Sequence, residues 1–88
     1  MMYELLPVFD CRKSFNKKAY VIVEGCTQML YSYGTHILTE SNGKITYITD
    51  NKNHFTQTTN RHINEFLRQR LGWRGKSKSE LLNMAGIL

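Results

Sequence analysis

Hydrophobic and polar residues alternate through the first half of the chain, in a pattern typical of β-strands. The segment AYVIVE, residues 19–24, is rich in β-branched residues and alternates between two faces. Gly25-Cys26 predicts a tight turn, because Gly suits the first central position of a type II′ hairpin. TQMLYSY, residues 27–33, would then return as a second strand with three large side chains on one face: Met29, Tyr31 and Tyr33.

Two further strands are predicted after Gly34. THILTE and KITYIT both alternate, and Asn42-Gly43 between them is the strongest hairpin signal in the chain. Pairing across this two-residue turn predicts the partners Glu40–Ile45, Leu38–Tyr47 and Ile37–Ile48. A turn at residues 50–53 would lead to a short strand through His54, Phe55 and Thr56. We expect the four longer strands to form a four-stranded antiparallel meander.

The period of the pattern changes from Asn60 onward and becomes helical. Apolar residues recur at helical spacing up to Gly72, a plausible stop, and Thr58 or Thr59 can cap the first turn. Ser77 and Glu80 form a capping-box pattern ahead of a short C-terminal helix. The expected fold class is α+β, with a helix at about 60–71 packed across one face of the meander. Residues 1–88 would form a single domain, with a partly extended basic arm at 1–18 and a basic linker at 73–78.

Size and composition limit the chemistry that the chain can perform. With 88 residues, of which 41% are hydrophobic, the chain has room for one core and we expect no buried cofactor. Cys11 and Cys26 lack a CxxC spacing and the histidines lack a zinc spacing, so we expect free thiols and no metal site. No run approaches the length of a membrane span and the first ten residues lack a signal-peptide pattern, which favours the cytoplasm.

Positive charge is concentrated toward the C-terminal end of the sequence. The net charge is +5, and residues 58–78 hold six of the twelve Lys and Arg residues with one acid, Glu65. Arg61 and Arg68 fall together on the helix side opposite the apolar stripe, about 10 Å apart along the axis, which is far enough to contact separate phosphates. Glu65 lies within pairing distance of either arginine on the same helix. Arg70 lies within the apolar stripe, so its stem would pack while its guanidinium reaches past the helix end.

A second group of cations surrounds the only tryptophan. Arg74, Lys76 and Lys78 follow Trp73 on a glycine-containing linker, and cations beside a stackable ring suit single-stranded nucleic acid. In small domains, however, a tryptophan more often covers the core, so both interpretations of Trp73 remain open. A further basic patch in the N-terminal arm consists of Lys13, Lys17 and Lys18.

The polar and aromatic residues elsewhere in the chain indicate structural roles and no enzymatic activity. No nucleophile elbow, oxyanion loop or acid–base pair is recognisable, so we expect a non-enzymatic protein. Strand tyrosines such as Tyr31 and Tyr47 are usually core residues or cross-strand pairs, although similar sheet surfaces stack unpaired bases. The simplest explanation of Thr58 and Thr59 is a helix cap. That of His62 is a first-turn histidine hydrogen-bonded to the sheet.

Three blocks of sequence carry a resemblance to a known family: Ser14-Phe15 with Lys18-Ala19, LYSYGT at residues 30–35, and TTxRHINEFL at residues 58–67. They resemble a family of short uncharacterised proteins encoded by phages, plasmids and conjugative elements of Gram-positive bacteria, over about residues 14–69. The resemblance implies no activity and no active-site residues. It implies a context, because small accessory proteins of mobile elements commonly act by binding.

Three functions are therefore candidates. The first is a mobile-element accessory protein that binds DNA or RNA through the basic patches, by release of counterions from phosphates. The second is an inhibitor or regulator that docks on an acidic groove of a host nucleoprotein machine, in the manner of an anti-CRISPR protein. The third is a homodimer with a structural role, since sheet edges and the C-terminal helix could self-associate. We expect no membrane partner.

Overall fold

The computed structural model describes residues 1–10 and 17–87. Five strands form one antiparallel sheet in chain order: β1 (Met2–Glu4), β2 (Ala19–Glu24), β3 (Thr27–Ser32), β4 (Thr35–Ser41) and β5 (Lys44–Ile48). A 3₁₀ turn, Lys52–His54, precedes two α-helices: α1 (Gln57–Leu71) and α2 (Lys78–Met84). The α+β class with an antiparallel meander is confirmed, but the prediction of four strands is wrong.

The additional strand comes from the N-terminal segment, which was predicted to be a partly extended arm. Met2 pairs with Ile22 and Tyr3 with Val21, so β1 extends the sheet beyond β2. The terminal ammonium group of Met1 donates to the carbonyl oxygen of Val23 at 3.1 Å and continues this pairing. A strand of three residues is too short to show a period in the sequence, and its pairing depends on a distant segment.

Tight turns set the register of the sheet. Asn42 and Gly43 both have positive φ, 53° and 83°, as expected for the predicted two-residue hairpin. Tyr33 and Gly34 form a second turn of this kind, with φ of 52° and 77°, so Tyr33 does not share a strand face with Met29 as predicted.

The predicted register between β4 and β5 is confirmed only next to their turn. Glu40 lies opposite Ile45, but a bulge between Thr39 and Glu40 shifts the remaining pairs by one residue. Tyr47 therefore lies opposite Thr39, and Ile48 lies opposite Leu38.

The connection between β5 and α1 differs from the prediction. The expected strand at residues 54–56 is absent among the described residues, because His54 ends the 3₁₀ turn. Helix α1 begins at Gln57, three residues earlier than predicted, and Thr56 is its N-cap, accepting a hydrogen bond from the backbone N–H of Thr59. The polar first turn of α1 has no apolar residue that could reveal its start. The predicted stop at Gly72 is confirmed by a φ of 69°.

The core lies between one face of the sheet and the two helices. Leu30 and Leu38 of the sheet are fully buried together with Ile63 and Phe66 of α1 and Leu81 of α2. Side chains alternate along a strand, so Tyr31, next to Leu30, points to the opposite face. A bulge in the pairing of β3 with β4 places His36 opposite Tyr31. There the rings of three residues from adjacent strands are stacked, with centroids 5.1 Å and 4.6 Å apart: Tyr31, His36 and Tyr47.

Candidate nucleic-acid interface

A groove of about 240 Å³ follows the side of α1 that faces away from the sheet. The N-terminal segment at residues 8–10 forms one wall, and the linker after α1 forms the other. We term it the α1 groove, and the residues that line it are Phe9, Asp10, Arg61, Asn64, Glu65, Arg68 and Gly75. Both predicted helix arginines therefore face a single depression.

A buried carboxylate holds the N-terminal wall in place. Glu65 is 3% exposed, and its carboxylate oxygens accept hydrogen bonds from the backbone N–H groups of Val8, Phe9 and Asp10 at 2.8–3.2 Å. The side-chain amide of Gln69 also donates to Glu65 and to the carbonyl oxygen of Leu6. Glu65 does not form the surface pair with Arg61 or Arg68 that its spacing allows, because the N-terminal segment covers this side of the helix.

The two helix arginines contact the same N-terminal segment. Arg61 forms an ion pair with Asp10, with 3.2 Å between Nη1 and Oδ2. The guanidinium of Arg68 lies over the ring of Phe9, 4.5 Å from the ring centroid, and both side chains are exposed at the surface. Arg68 is therefore the more accessible cation, while part of the charge of Arg61 is neutralised.

The second wall is attached to α1 through an amide. The side-chain oxygen of Asn64 accepts the backbone N–H of Lys76 at 2.7 Å, and its nitrogen donates to the carbonyl oxygen of Lys76 at 2.9 Å. The ammonium group of Lys76 in turn lies 5.3 Å from the centroid of the Trp73 ring. Trp73 packs partly buried against the core, which agrees with a role as a lid, and it also contacts a cation. Arg74 and Lys78 are exposed on either side of Lys76.

The helix that follows the linker is firmly capped. Ser77 and Glu80 form the predicted capping box at the start of α2, with each side chain bonded to the other residue's backbone N–H. The hydrogen bond from the backbone N–H of Ser77 is the main cause that lowers the pKa of Glu80. The capping box fixes the end of the linker at Ser77, and it keeps the carboxylate of Glu80 bonded to the backbone N–H of Ser77.

The remaining predicted cations lie apart from the α1 groove. Lys17 and Lys18 are exposed before β2, where the ammonium group of Lys18 lies 5.8 Å from the centroid of the Tyr33 ring. Lys13 lies outside the described residues. Arg70 does not extend freely past the end of α1, because its Nε donates to the buried carboxylate of Glu40 at 2.9 Å. This ion pair fastens α1 to β4.

Two of the three blocks that carry the sequence resemblance meet inside the fold. Ser32 of the LYSYGT block lies 2.9 Å from the Thr59 hydroxyl and 2.8 Å from Nδ1 of His62, measured from its Oγ, and all three residues are buried. The expectation that His62 is bonded to the sheet is confirmed, whereas the cap belongs to Thr56. A cleft of about 390 Å³ opens beside this cluster, with Thr35 and Thr58 among its lining residues.

Sequence reasoning missed the residues that build the α1 groove around its arginines. Phe9, Asp10, Asn64 and Glu65 act through contacts with segments far away in the chain, for which the sequence has no local signal.

Within residues 1–10 and 17–87, no group of three or more His, Cys, Asp or Glu side chains could hold a metal ion. Cys26 is an exposed free thiol.

The comparison with protein families gives one match. A model of a family of unknown function (DUF8033) matches residues 3–83, so the chain belongs to that family. No curated protein and no solved structure matches the chain. Neither α1 nor α2, the helices of the described part, has the length and apolar composition of a membrane span.

Proposed function

We propose that this protein binds nucleic acid through the α1 groove and the linker behind it, without catalysing a reaction. The observation that carries the proposal is a pair of cation–aromatic contacts, one in the groove and one on the linker. Arg68 lies over Phe9 in the groove, and Lys76 lies over Trp73 on the linker that follows α1. Sites for single-stranded nucleic acid combine cations that follow the backbone with rings on which bases stack.

The distribution of charge supports an anionic partner. The two carboxylates that line the groove are engaged within the protein, since Glu65 accepts backbone hydrogen bonds and Asp10 pairs with Arg61. The cations that project outward, Arg68, Arg74 and Lys78, therefore face solvent with little local compensation. Phosphates would replace the counterions around these cations, and most of the affinity would come from that release.

The aromatic rings add a contribution that does not depend on charge. Phe9 is 55% exposed, so a base could stack on its ring while Arg68 turns to a phosphate. Stacking on an aromatic side chain contributes about 1–3 kcal/mol per base and tolerates any sequence. The proposed site therefore prefers unpaired nucleotides, whether DNA or RNA, and reads little sequence.

The biological setting in the proposal is that of an accessory protein of a phage or another mobile element. Its support is the resemblance of the LYSYGT and TTxRHINEFL blocks to short proteins of such elements. The protein would then encounter nucleic acid of the element or of its bacterial host in the cytoplasm. A small, positively charged protein of this size suits binding better than catalysis, because it has room for only one core.

Fluorescence anisotropy with labelled oligonucleotides tests this proposal. Purified protein would be titrated into single-stranded DNA, double-stranded DNA and RNA at about 50 mM and about 200 mM salt. We expect tighter binding to the single strands and a steep loss of affinity at the higher salt. No binding to any of the three at low salt would refute the proposal and direct the search to a protein partner.

A pair of matched variants localises the site. Arg68→Ala and Lys52→Ala each remove one exposed positive charge, but Lys52 lies in the 3₁₀ turn before α1 and does not line the groove. We expect Arg68→Ala to weaken binding markedly and Lys52→Ala to change it little. Equal losses in the two variants would mean that the interaction follows net charge and has no site at the groove.

A further inference from the structure

The cleft beside Ser32 has the size and lining of a site for a small molecule. Its volume of about 390 Å³ lies within the usual range for such sites, roughly 300–1,000 Å³. We term it the Ser32 cleft, and no Asp, Glu, Lys or Arg is among the described residues that line it. Ser32, Tyr33 and Thr35 of the LYSYGT block meet Thr58 and Thr59 of the TTxRHINEFL block there. None of these residues lines the α1 groove, so the proposed function leaves the cleft unexplained.

Tyr33 has a backbone conformation that its large side chain disfavours. Its φ of 52° lies in the left-handed region, which Gly and Asn adopt more readily than an aromatic residue. The hairpin between β4 and β5 has Asn42 at the corresponding position, with a φ of 53°. Burial does not compensate for this strain, because Tyr33 is 56% exposed. An outlier of this kind in the lining of a cleft points to a function for its ring.

The ring of Tyr33 forms an aromatic wall of the cleft with a cation beside it. The ring of the buried His62 lies 6.0 Å from it, centroid to centroid, and supports it from the interior. The exposed ammonium group of Lys18 lies 5.8 Å from the centroid of the Tyr33 ring. A planar base can stack on an exposed ring, and an adjacent cation can contact the phosphate joined to that base. The ring and the cation together match a nucleotide.

Other residues of the cleft supply hydrogen-bonding groups of both kinds. Within residues 1–10 and 17–87, the side chains of Thr35, Asn53 and Thr58 form no hydrogen bond with another residue. A hydroxyl group both donates and accepts, and so does the side-chain amide of Asn. The edges of nucleobases also combine donors and acceptors. An uncharged lining of this composition therefore suits a neutral base and does not select one base over the others.

We propose that the Ser32 cleft binds a single unpaired nucleotide. The base stacks on the ring of Tyr33, and its phosphate lies beside Lys18. The side chains of Thr35, Asn53 and Thr58 bind the edge of the base. This inference does not rest on binding at the α1 groove, because one nucleotide occupies the cleft by itself.

Two sources present this chemistry: a free mononucleotide and one nucleotide of a longer single strand. The cleft adjoins the α1 groove, because Thr58 precedes Arg61 by about one turn on the same side of α1. A strand bound in the groove could therefore place one of its bases in the cleft. A free mononucleotide would occupy the cleft and leave the groove empty.

Two-dimensional ¹H–¹⁵N NMR of the full chain tests the proposal, with adenosine monophosphate and a short single-stranded oligonucleotide as separate probes. We expect adenosine monophosphate at millimolar concentration to shift the backbone amides of residues 33–35 and 58–59. The amides of Asn64 and Arg68 in the α1 groove should stay in place. An oligonucleotide that shifts both sets of amides identifies the strand as the source, whereas cleft shifts with the mononucleotide alone identify the free nucleotide.

Two results of this experiment would overturn the proposal. The first is the absence of cleft shifts with both probes, and groove shifts with the oligonucleotide would in that case still support the proposed function. The second is an equal set of cleft shifts with inorganic phosphate at the same concentration, because the site would then bind an anion and not a base.

Replacement of Tyr33 separates a binding role of its ring from a structural one. Tyr33→Asn supplies the residue type that the other hairpin has in this conformation, so the variant should fold as the original protein does. We expect its dissociation constant for adenosine monophosphate to rise about ten-fold or more, because the stacking contact is lost. Tyr33→Phe keeps the ring and should keep the affinity. Unchanged affinity in Tyr33→Asn would overturn the proposal.

Lys18→Gln and Lys44→Gln are a matched pair that tests the phosphate contact independently of Tyr33. Each removes one exposed positive charge, but Lys44 lies at the start of β5, away from the Tyr33 ring. We expect Lys18→Gln to weaken binding of adenosine monophosphate several-fold, but not binding of adenosine, which has no phosphate. Lys44→Gln should change neither. Equal effects of the two replacements would overturn the proposed position of the nucleotide.

Discussion

Replacement of Glu65 by Gln would test how the N-terminal wall of the α1 groove is held. Glutamine has nearly the same shape, but it retains one acceptor oxygen and presents an NH₂ group to backbone N–H donors. Glu65 now accepts from three backbone N–H groups, those of Val8, Phe9 and Asp10. The replacement therefore removes at least one hydrogen bond to a charged acceptor, which contributes about 1.5–3 kcal/mol.

Part of that loss is offset, because a neutral amide is less costly to bury than a carboxylate. We expect Glu65→Gln to lower the free energy of unfolding by about 2 kcal/mol, which corresponds to roughly 8–16 °C in Tm for a domain of this size. Chemical and thermal denaturation measure this change directly. Hydrogen exchange by NMR should show faster exchange of the amides at residues 8–10 than in the original protein.

The control is Glu24→Gln, which neutralises an exposed carboxylate at the end of β2. Such surface replacements usually change stability by less than about 0.5 kcal/mol. The reasoning would be refuted if Glu65→Gln were as mild as this control and left exchange at residues 8–10 unchanged. If the wall does loosen, Phe9 loses its position beside Arg68, so binding of single-stranded nucleic acid should weaken as well.

Two further predictions concern ionisation. Ser77→Ala should raise the pKa of Glu80 toward its ordinary value without fully restoring that value, because the side-chain hydrogen bond is lost while the one from the backbone N–H remains. A ¹³C NMR titration of Glu80 measures this pKa. An unchanged pKa in the variant would contradict the prediction. Burial raises the pKa of Tyr3 above its ordinary value of 10.0, so the folded state favours the neutral phenol. This stabilisation is complete below the unfolded-state pKa and is lost as pH rises through the folded-state pKa, so Tyr3→Phe should reduce the alkaline decline of unfolding free energy. An identical decline in both proteins would exclude that origin.

Features determined by neighbouring residues could be predicted from the sequence. The hairpin at Asn42-Gly43, the stop of α1 at Gly72 and the capping box of Ser77 and Glu80 all depend on local backbone preferences, and the structure confirms each of them. Helical spacing also placed Arg61 and Arg68 on one side of α1, and both line the α1 groove.

Features that depend on distant segments could not be predicted in this way. The spacing of Glu65 allowed a surface pair with Arg61 or Arg68, and nothing in its helix indicates that residues 8–10 would cover it. The bulge next to Glu40 shifts the pairs beyond it by one residue from the register that simple pairing predicted. The walls of the groove belong to the same category, since Phe9 reaches Arg68 across most of the chain.

The most direct test of the central claim is the salt dependence of binding to a single-stranded oligonucleotide. The logarithm of the association constant should fall linearly with the logarithm of salt concentration, with a slope of about −0.7 for each phosphate contacted. The account predicts that Arg68→Ala makes this slope shallower by about that amount, whereas Lys52→Ala leaves it unchanged. A slope near zero in the original protein, or an equal change in both variants, would contradict the account.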